Sequence, residues 1–313
     1  MTTPTVLVAT WDDGLYAVAE TTREQEMAGQ SVRALTPDGR GGALAVVGGR
    51  SLRRRDPAGA WSTLALSELP LSCCVAIGDD VYVGTDDARV LRAGAGGRLE
   101  VLRAFETVAG RDTWYAGTAL VDGRVVGPPL GVRSMTATVD GVLLVNVHVG
   151  GIPRSADGGA TWAPTIDVDS DVHEVRAHPS RAGVVVAAAA VGLCVSRDGG
   201  ATWEVEQAGL HALHCSAVAF VGDDVLVSAA TGPFAPEGAI YRRMVDGPGP
   251  LALVGSGVPA WTGGLADTGC IAARGEAAAI CDPKGNLYVS TDAGRTWSRR
   301  AGGVPAPSSV LIV

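Results

Sequence analysis

Four of the five histidines in this chain, His148, His173, His211 and His214, stand at the edges of apolar β-rich runs rather than inside them. His173 and His214 lie 41 residues apart. An imidazole in such a place serves as a general base when a carboxylate orients it, and Asp267 is the carboxylate expected to do so for His173 or His214. His148, His173 and His214 together offer neutral nitrogen ligands of the kind that suit a divalent transition metal. Asn146 and His148 end one β-run and supply further polar contacts. Trp11, Trp114, Tyr115 and Trp261 lie in loop segments, where aromatic faces can stack on a sugar or another flat ligand.

What must position these residues is a repeat. Ser155-Ala156-Asp157-Gly158-Gly159-Ala160-Thr161-Trp162, Ser196-Arg197-Asp198-Gly199-Gly200-Ala201-Thr202-Trp203 and Ser290-Thr291-Asp292-Ala293-Gly294-Arg295-Thr296-Trp297 all read S-x-D-x-G-x-T-W. The first two start 41 residues apart, and the second and third start 94 apart, twice 47. A period of about 40–50 residues made of short strands is the pattern of a β-propeller. Each motif follows a strand-like run such as Leu193-Cys194-Val195, so its Asp-x-Gly core reads as a hairpin turn. The Asp side chain can bind turn N–H groups and nearby hydroxyls. The Trp then opens the next strand and packs between sheets.

This motif resembles the Asp-box, or BNR repeat, of sialidases, sortilin-type receptors and photosystem II assembly-factor-like bacterial propellers. The resemblance implies that Asp157, Asp198 and Asp292, with Trp162, Trp203 and Trp297, are structural and lie far from any active site. Sialidases use an arginine triad and a Tyr–Glu nucleophile pair on six blades. Here Gly151-Ile152-Pro153-Arg154 runs in the wrong order for their Arg-Ile-Pro element, and no Tyr–Glu pair is evident. A sialidase is therefore not expected, although the resemblance keeps a glycosyl-hydrolase-like reaction or a metal-assisted hydrolase or lyase in view.

Aligning the apolar runs gives seven units, so the chain is expected to be all-β: one domain, 1–313, a seven-bladed β-propeller of four-stranded antiparallel blades. The first unit has three strands, within 5–28, and the chain ends in an orphan apolar strand at 308–313. That strand is expected to complete blade one and close the ring, which removes free sheet edges. Asp56 to Trp61 reads as a worn Asp-box. The turns near Gly94-Ala95-Gly96 and Asp246-Gly247-Pro248-Gly249 have lost the motif. The D–A and B–C loops of such a ring open on one face. The same ruler puts Trp11 in a B–C turn, Trp114 and Trp261 in D–A loops, and His173 level with His214. Ala229 and Thr231 are aligned with Asn146 and His148. The long D–A insertion 104–132 also falls on this face, and long loops in compact domains are often functional. A ring of His, Asp and Asn at the channel mouth is expected.

Bulk properties bound the rest. Net charge is −8, with 43 glycines and few aromatics. No concentrated basic face is evident, so no nucleic-acid partner is expected. The longest apolar run is too short to span a membrane, and no signal-peptide pattern opens the chain, so a cytoplasmic protein without a membrane partner is expected. Asp112, Asp169, Asp171, Glu174 and Asp267 are the carboxylates available for paired acid–base work, and nothing singles out two. The six cysteines show no metal-type spacing and read as reduced core thiols. The function expected is a small-molecule or glycan site at the channel mouth, with hydrolase- or lyase-type chemistry. The alternative is a non-catalytic scaffold for a protein partner.

Overall fold

A computed structural model describes residues 4–313 except 95, 118, 122 and 128. The opening Met1-Thr2-Thr3, and Ala95 of the degenerate turn, lie outside the described residues. Seven four-stranded antiparallel sheets form a ring. From the channel outward, blade one runs Pro307–Ile312, Val6–Thr10, Leu15–Val18 and Arg23–Glu26. The C-terminal strand thus sits innermost, paired antiparallel with Val6–Thr10. The later blades begin with inner strands Val32–Pro37, Leu71–Ile77, Gly131–Ala137, Val172–Ala177, His214–Val221 and Ile271–Arg274. Each inner strand contacts the next, and the last meets Pro307–Ile312.

Second strands are short and apolar on both faces. Val185–Ala189 and Ala43–Val47, for example, are buried at every position. A strand covered by neighbouring blades on both sides gains from an unbroken apolar run. The core is accordingly divided into seven clusters, one between each pair of adjacent blades. All six cysteines are buried and unpaired, and burial pushes the Cys73 and Cys194 thiols up to about 12.

The Asp-boxes are the outer hairpins of blades four, five and seven. In the second copy, Asp198 Oδ1 accepts from Thr202 N at 2.9 Å and from Ser196 Oγ at 2.8 Å. Its Oδ2 accepts from Thr202 Oγ1 at 2.6 Å. The other two copies repeat these bonds. Trp162, Trp203 and Trp297 each join the core shared with the preceding blade. At Asp56 the worn box keeps one bond, from Ala60 N. All these turns lie at the opposite end of the blades from His148.

A recurrent irregularity matters more for the site. In blades one to six, the inner strand carries one extra residue at its start relative to the second strand; in blade one it is Ser308, between Pro307 and Ser309. The register shifts at Val32/Ala34, Leu71/Cys73, Val132/Ser134, Val172/Glu174 and Cys215/Val218. Arg33, Ser72, Arg133 and His173 are the extra residues in blades two to five. In blade six Ser216 and Ala217 together face Ser228. A bulge releases a side chain from strict alternation and re-aims it.

Candidate functional site

The bulges deliver their side chains to two adjoining cavities. One, about 450 Å³, occupies the channel and is lined by Arg33, Ser72, Arg133, Glu174 and Arg176 among others. The other, about 720 Å³, opens at the mouth and is lined by Tyr115, Arg133, His148, Asp171, His173 and His214, with Ser216, Phe234 and Asp267. Arg133, His148 and Asp267 border both.

His148 ends the second strand of blade four, Leu143–His148. Its ring is buried, and Gly117 of the insertion packs flat against it with no room for a Cβ. His148 Nε2 lies 3.0 Å from Asp171 Oδ1 and 3.3 Å from Arg133 Nη1. Asp171 is held at a positive φ of 48° after the 3-10 turn Val168–Ser170, where its own N–H caps Val168 O. Aspartate tolerates this left-handed conformation better than most residues. Its second oxygen lies 3.5 Å from His173 Nε2. His173, the bulge residue of blade five, is buried, and its Nδ1 lies 2.6 Å from the carbonyl of Cys215. That carbonyl can only accept, so Nδ1 carries the hydrogen. His214 lies beside His173 with ring centroids 4.5 Å apart and planes tilted by 47°, and its side chain makes no hydrogen bond among the described residues.

Electrostatics fix the charge states. Burial opposes ionisation of Asp171, but the adjacent His148 and His173 rings outweigh it and hold the carboxyl well below its ordinary range. The low-dielectric walls act the same way on Asp267, yet Arg133, Ser216 Oγ and the Thr268 N–H prevail and hold it at about 2. Arg133 Nη2 donates to Asp267 at 2.6 Å, and its Nε donates to Thr268 Oγ1 at 2.7 Å. Burial, then the neighbouring His173, pushes His214 down to about 4. At neutral pH the mouth therefore holds two carboxylates, one guanidinium and a neutral His214.

Several expected site residues lie elsewhere. Asn146 is fully buried, bonded to Ser134 Oγ, and faces neither cavity. Trp114 is a packing wedge whose ring sits 5.9 Å from Phe105, because the insertion folds back onto blades three and four. Trp261 and His211 pack edge-to-face at 4.8 Å, with His211 Nδ1 bound to Tyr241 Oη, away from both cavities. Trp11 is half-exposed and lines the channel cavity, and Tyr115 lines the mouth. The expected alignment also slips. The bulge residue His173 is level with Ser216, so His214 stands level with Asp171 instead. Asn146 and His148 correspond to Ser228 and Ala230 rather than to Ala229 and Thr231. Of the three histidines expected to bind metal, His148 and His173 join Asp171 in one cluster, and His214 falls outside it. Arg133 and Phe234 were not anticipated. The recurring start of each inner strand was the signal for Arg133.

Comparison with known proteins agrees with the architecture. A profile of the BNR/Asp-box repeat matches residues 288–299. The chain is a seven-bladed β-propeller that carries Asp-box turns. It superposes on the extracellular domain assigned to a hybrid two-component system of B. thetaiotaomicron, with TM-score 0.62 and 13% identity. That match covers 97% of this propeller but 37% of the other chain. A GH74 xyloglucanase from Xanthomonas campestris gives 0.58 at 19% identity, covering 86% of this chain and 45% of that one. A streptogramin B lyase gives 0.57 at 11% identity, covering 86% and 82%. At these identities the likeness is one of fold. No curated protein sequence matches the chain. Among the described residues, no helix is long and apolar enough to cross a membrane.

Proposed function

We propose that the mouth cavity binds a small polar molecule and that His214 transfers a proton to or from it, in a lyase- or hydrolase-type reaction. The observation that carries this reading is His214 itself: a neutral imidazole without a hydrogen-bond partner among the described residues, facing a 720 Å³ cavity. His214 is only partly buried, so its ring is open to a ligand that enters from the mouth. As His214 gains a proton, Asp171 and Asp267 favour the resulting imidazolium, since both carboxylates raise its affinity for protons.

The same charges speak against a two-carboxylate glycosidase. That chemistry needs one carboxyl protonated as the acid, and both mouth carboxylates are held ionised. Arg133 uses three of its five N–H donors on Thr268, His148 and Asp267. Two remain for a ligand, so a substrate bearing a carbonyl or carboxylate oxygen suits the site better than a neutral glycan.

A thermal-shift panel of small carboxylates, esters, lactones and short oligosaccharides tests the reading. The expected hit stabilises the native protein and the Asp198→Asn control, but neither His214→Ala nor Arg133→Gln. A panel without hits, or a hit retained in both variants, would favour the scaffold reading instead. The exposed aromatics at the mouth, Tyr115 and Phe234, would then be the contact surface.

A further inference from the structure

We propose that His148, Asp171 and His173 form a binding site for one divalent first-row transition-metal ion. Cation binding here does not depend on which molecule fills the mouth. The ligand atoms of the three side chains lie within 4.8 Å of one another. An ion with bonds of about 2.0–2.2 Å separates neighbouring ligands by roughly 3.0–3.5 Å and opposite ones by about 4.2 Å. The separations of 3.0 Å from His148 Nε2 to Asp171 Oδ1 and 3.5 Å from His173 Nε2 to Asp171 Oδ2 fall in the first range, with the carboxylate turning one oxygen toward each ring.

The hydrogen positions point the same way. With Nδ1 of His173 donating to Cys215, the neutral ring turns the lone pair of Nε2 toward Asp171 Oδ2. A guanidinium can only donate, so while Arg133 Nη1 donates to His148 Nε2, that nitrogen is an acceptor too. Without a cation, a proton on these rings faces the Asp171 carboxylate and holds it ionised; an ion takes that proton's place and leaves two imidazole lone pairs and the carboxylate facing one point. Asp171 Oδ1 is buried without a hydrogen-bond partner. A cation satisfies all of these atoms at once. The bond from His173 Nδ1 to a backbone carbonyl is also the outer contact that fixes ring orientation in metal-bound histidines.

Two imidazoles and one carboxylate are borderline ligands that favour zinc, iron, cobalt or manganese over calcium. Three protein ligands leave coordination positions open toward the mouth, as in catalytic rather than structural sites. His214 stands beside the ion without binding it. An ion on His148 Nε2 displaces Arg133 Nη1, while the bonds from Arg133 Nη2 to Asp267 and from its Nε to Thr268 remain.

The test is titration of chelator-treated full-length protein with Co²⁺, read by visible d–d absorption, followed by Zn²⁺ competition. One equivalent is expected to bind. Affinity should fall at least about tenfold in His148→Ala, His173→Ala and the isosteric Asp171→Asn. His214→Ala should bind within a few-fold of wild type, and near-UV circular dichroism checks that each variant is folded. Absence of stoichiometric binding to folded wild type would overturn the site. So would equal affinity in folded Asp171→Asn, or loss confined to His214→Ala.

Discussion

Adding one methyl group at Gly117 should disable the His148–Asp171–His173 cluster without disturbing the propeller. A Cβ built there would lie 2.6 Å from both ring nitrogens of His148. The same Cβ meets His148 Cε1 at 2.1 Å, and ordinary contact needs about 3.5 Å, so the ring must withdraw by roughly 1.4 Å. The ring is buried against blade four and cannot retreat freely. Metal sites tolerate about 0.2 Å of error in ligand position. Gly117→Ala should therefore weaken Co²⁺ and Zn²⁺ binding by about 10- to 100-fold, as loss of a supporting contact does. Any turnover that depends on the cluster should fall by about 100-fold, the usual cost of a 1 Å misplacement. Backbone strain does not enter, because Gly117 lies outside the left-handed region. Gly232→Ala is the matched control, since open space surrounds that position. If Gly117→Ala binds Co²⁺ as tightly as Gly232→Ala, His148 is not a ligand held by close packing and the reasoning fails.

Removing residues 308–313 should unfold the ring. Val310, Leu311 and Ile312 are buried in two inter-blade cores, and at about 1.5–3 kcal/mol per side chain their loss approaches the roughly 5–15 kcal/mol that holds a domain folded. A truncated chain with an unchanged melting temperature would refute the closure argument, and Leu311→Ala, at about 2–5 kcal/mol, gives the graded version. Replacing Asp157, Asp198 and Asp292 by Asn should lower stability at pH 7 and flatten its acid dependence. Their folded pKa values, about 2, lie below the unfolded value, so the stability they confer is present above pH 4 and is lost as pH falls toward 2. Urea midpoints at pH 7, 4 and 2.5 check this, and parallel curves for wild type and variant would contradict it. His214, with a folded pKa of about 4, binds its proton later than the unfolded chain does. It should therefore contribute stability above about pH 6.5 that is lost as pH falls toward 4; a His214→Gln variant with the same pH slope would count against it.

The sequence made the ring legible because each Asp-box bundles a turn, a hydroxyl pair and a tryptophan in eight residues, and none of these depends on distant contacts. Ring closure was equally legible, since an apolar strand without a local partner must pair at long range. The site was less so. Its histidines could be assigned to one face from the blade ruler. Their register could not, because a bulge breaks the period of two on which any strand alignment rests, and the His173–His214 equivalence slipped for that reason. Trp114 reads as a site residue because burial by a folded-back insertion leaves no local mark, and Asn146 because nothing in the strand shows that its amide turns to Ser134 Oγ inside the blade. Asp171 stood among five carboxylates. Its distinction comes from a left-handed backbone that places it between two rings from different blades.

The bulges separate two demands that a β-sheet normally fuses. In a regular strand, a side chain's face is dictated by its parity, so changing what it does puts pairing and packing at risk. The extra residue answers to no partner across the ladder. Ser308, Arg33, Ser72, Arg133, His173 and the Ser216–Ala217 pair are accordingly six slots around one axle, filled here with three cationic or imidazole groups and three hydroxyl positions. A substitution at such a slot leaves every hydrogen-bonded rung within the blade in place; what it gives up is a bond to the next blade, as from Arg33 to Leu71 O, Ser72 to Val132 O and His173 to Cys215 O.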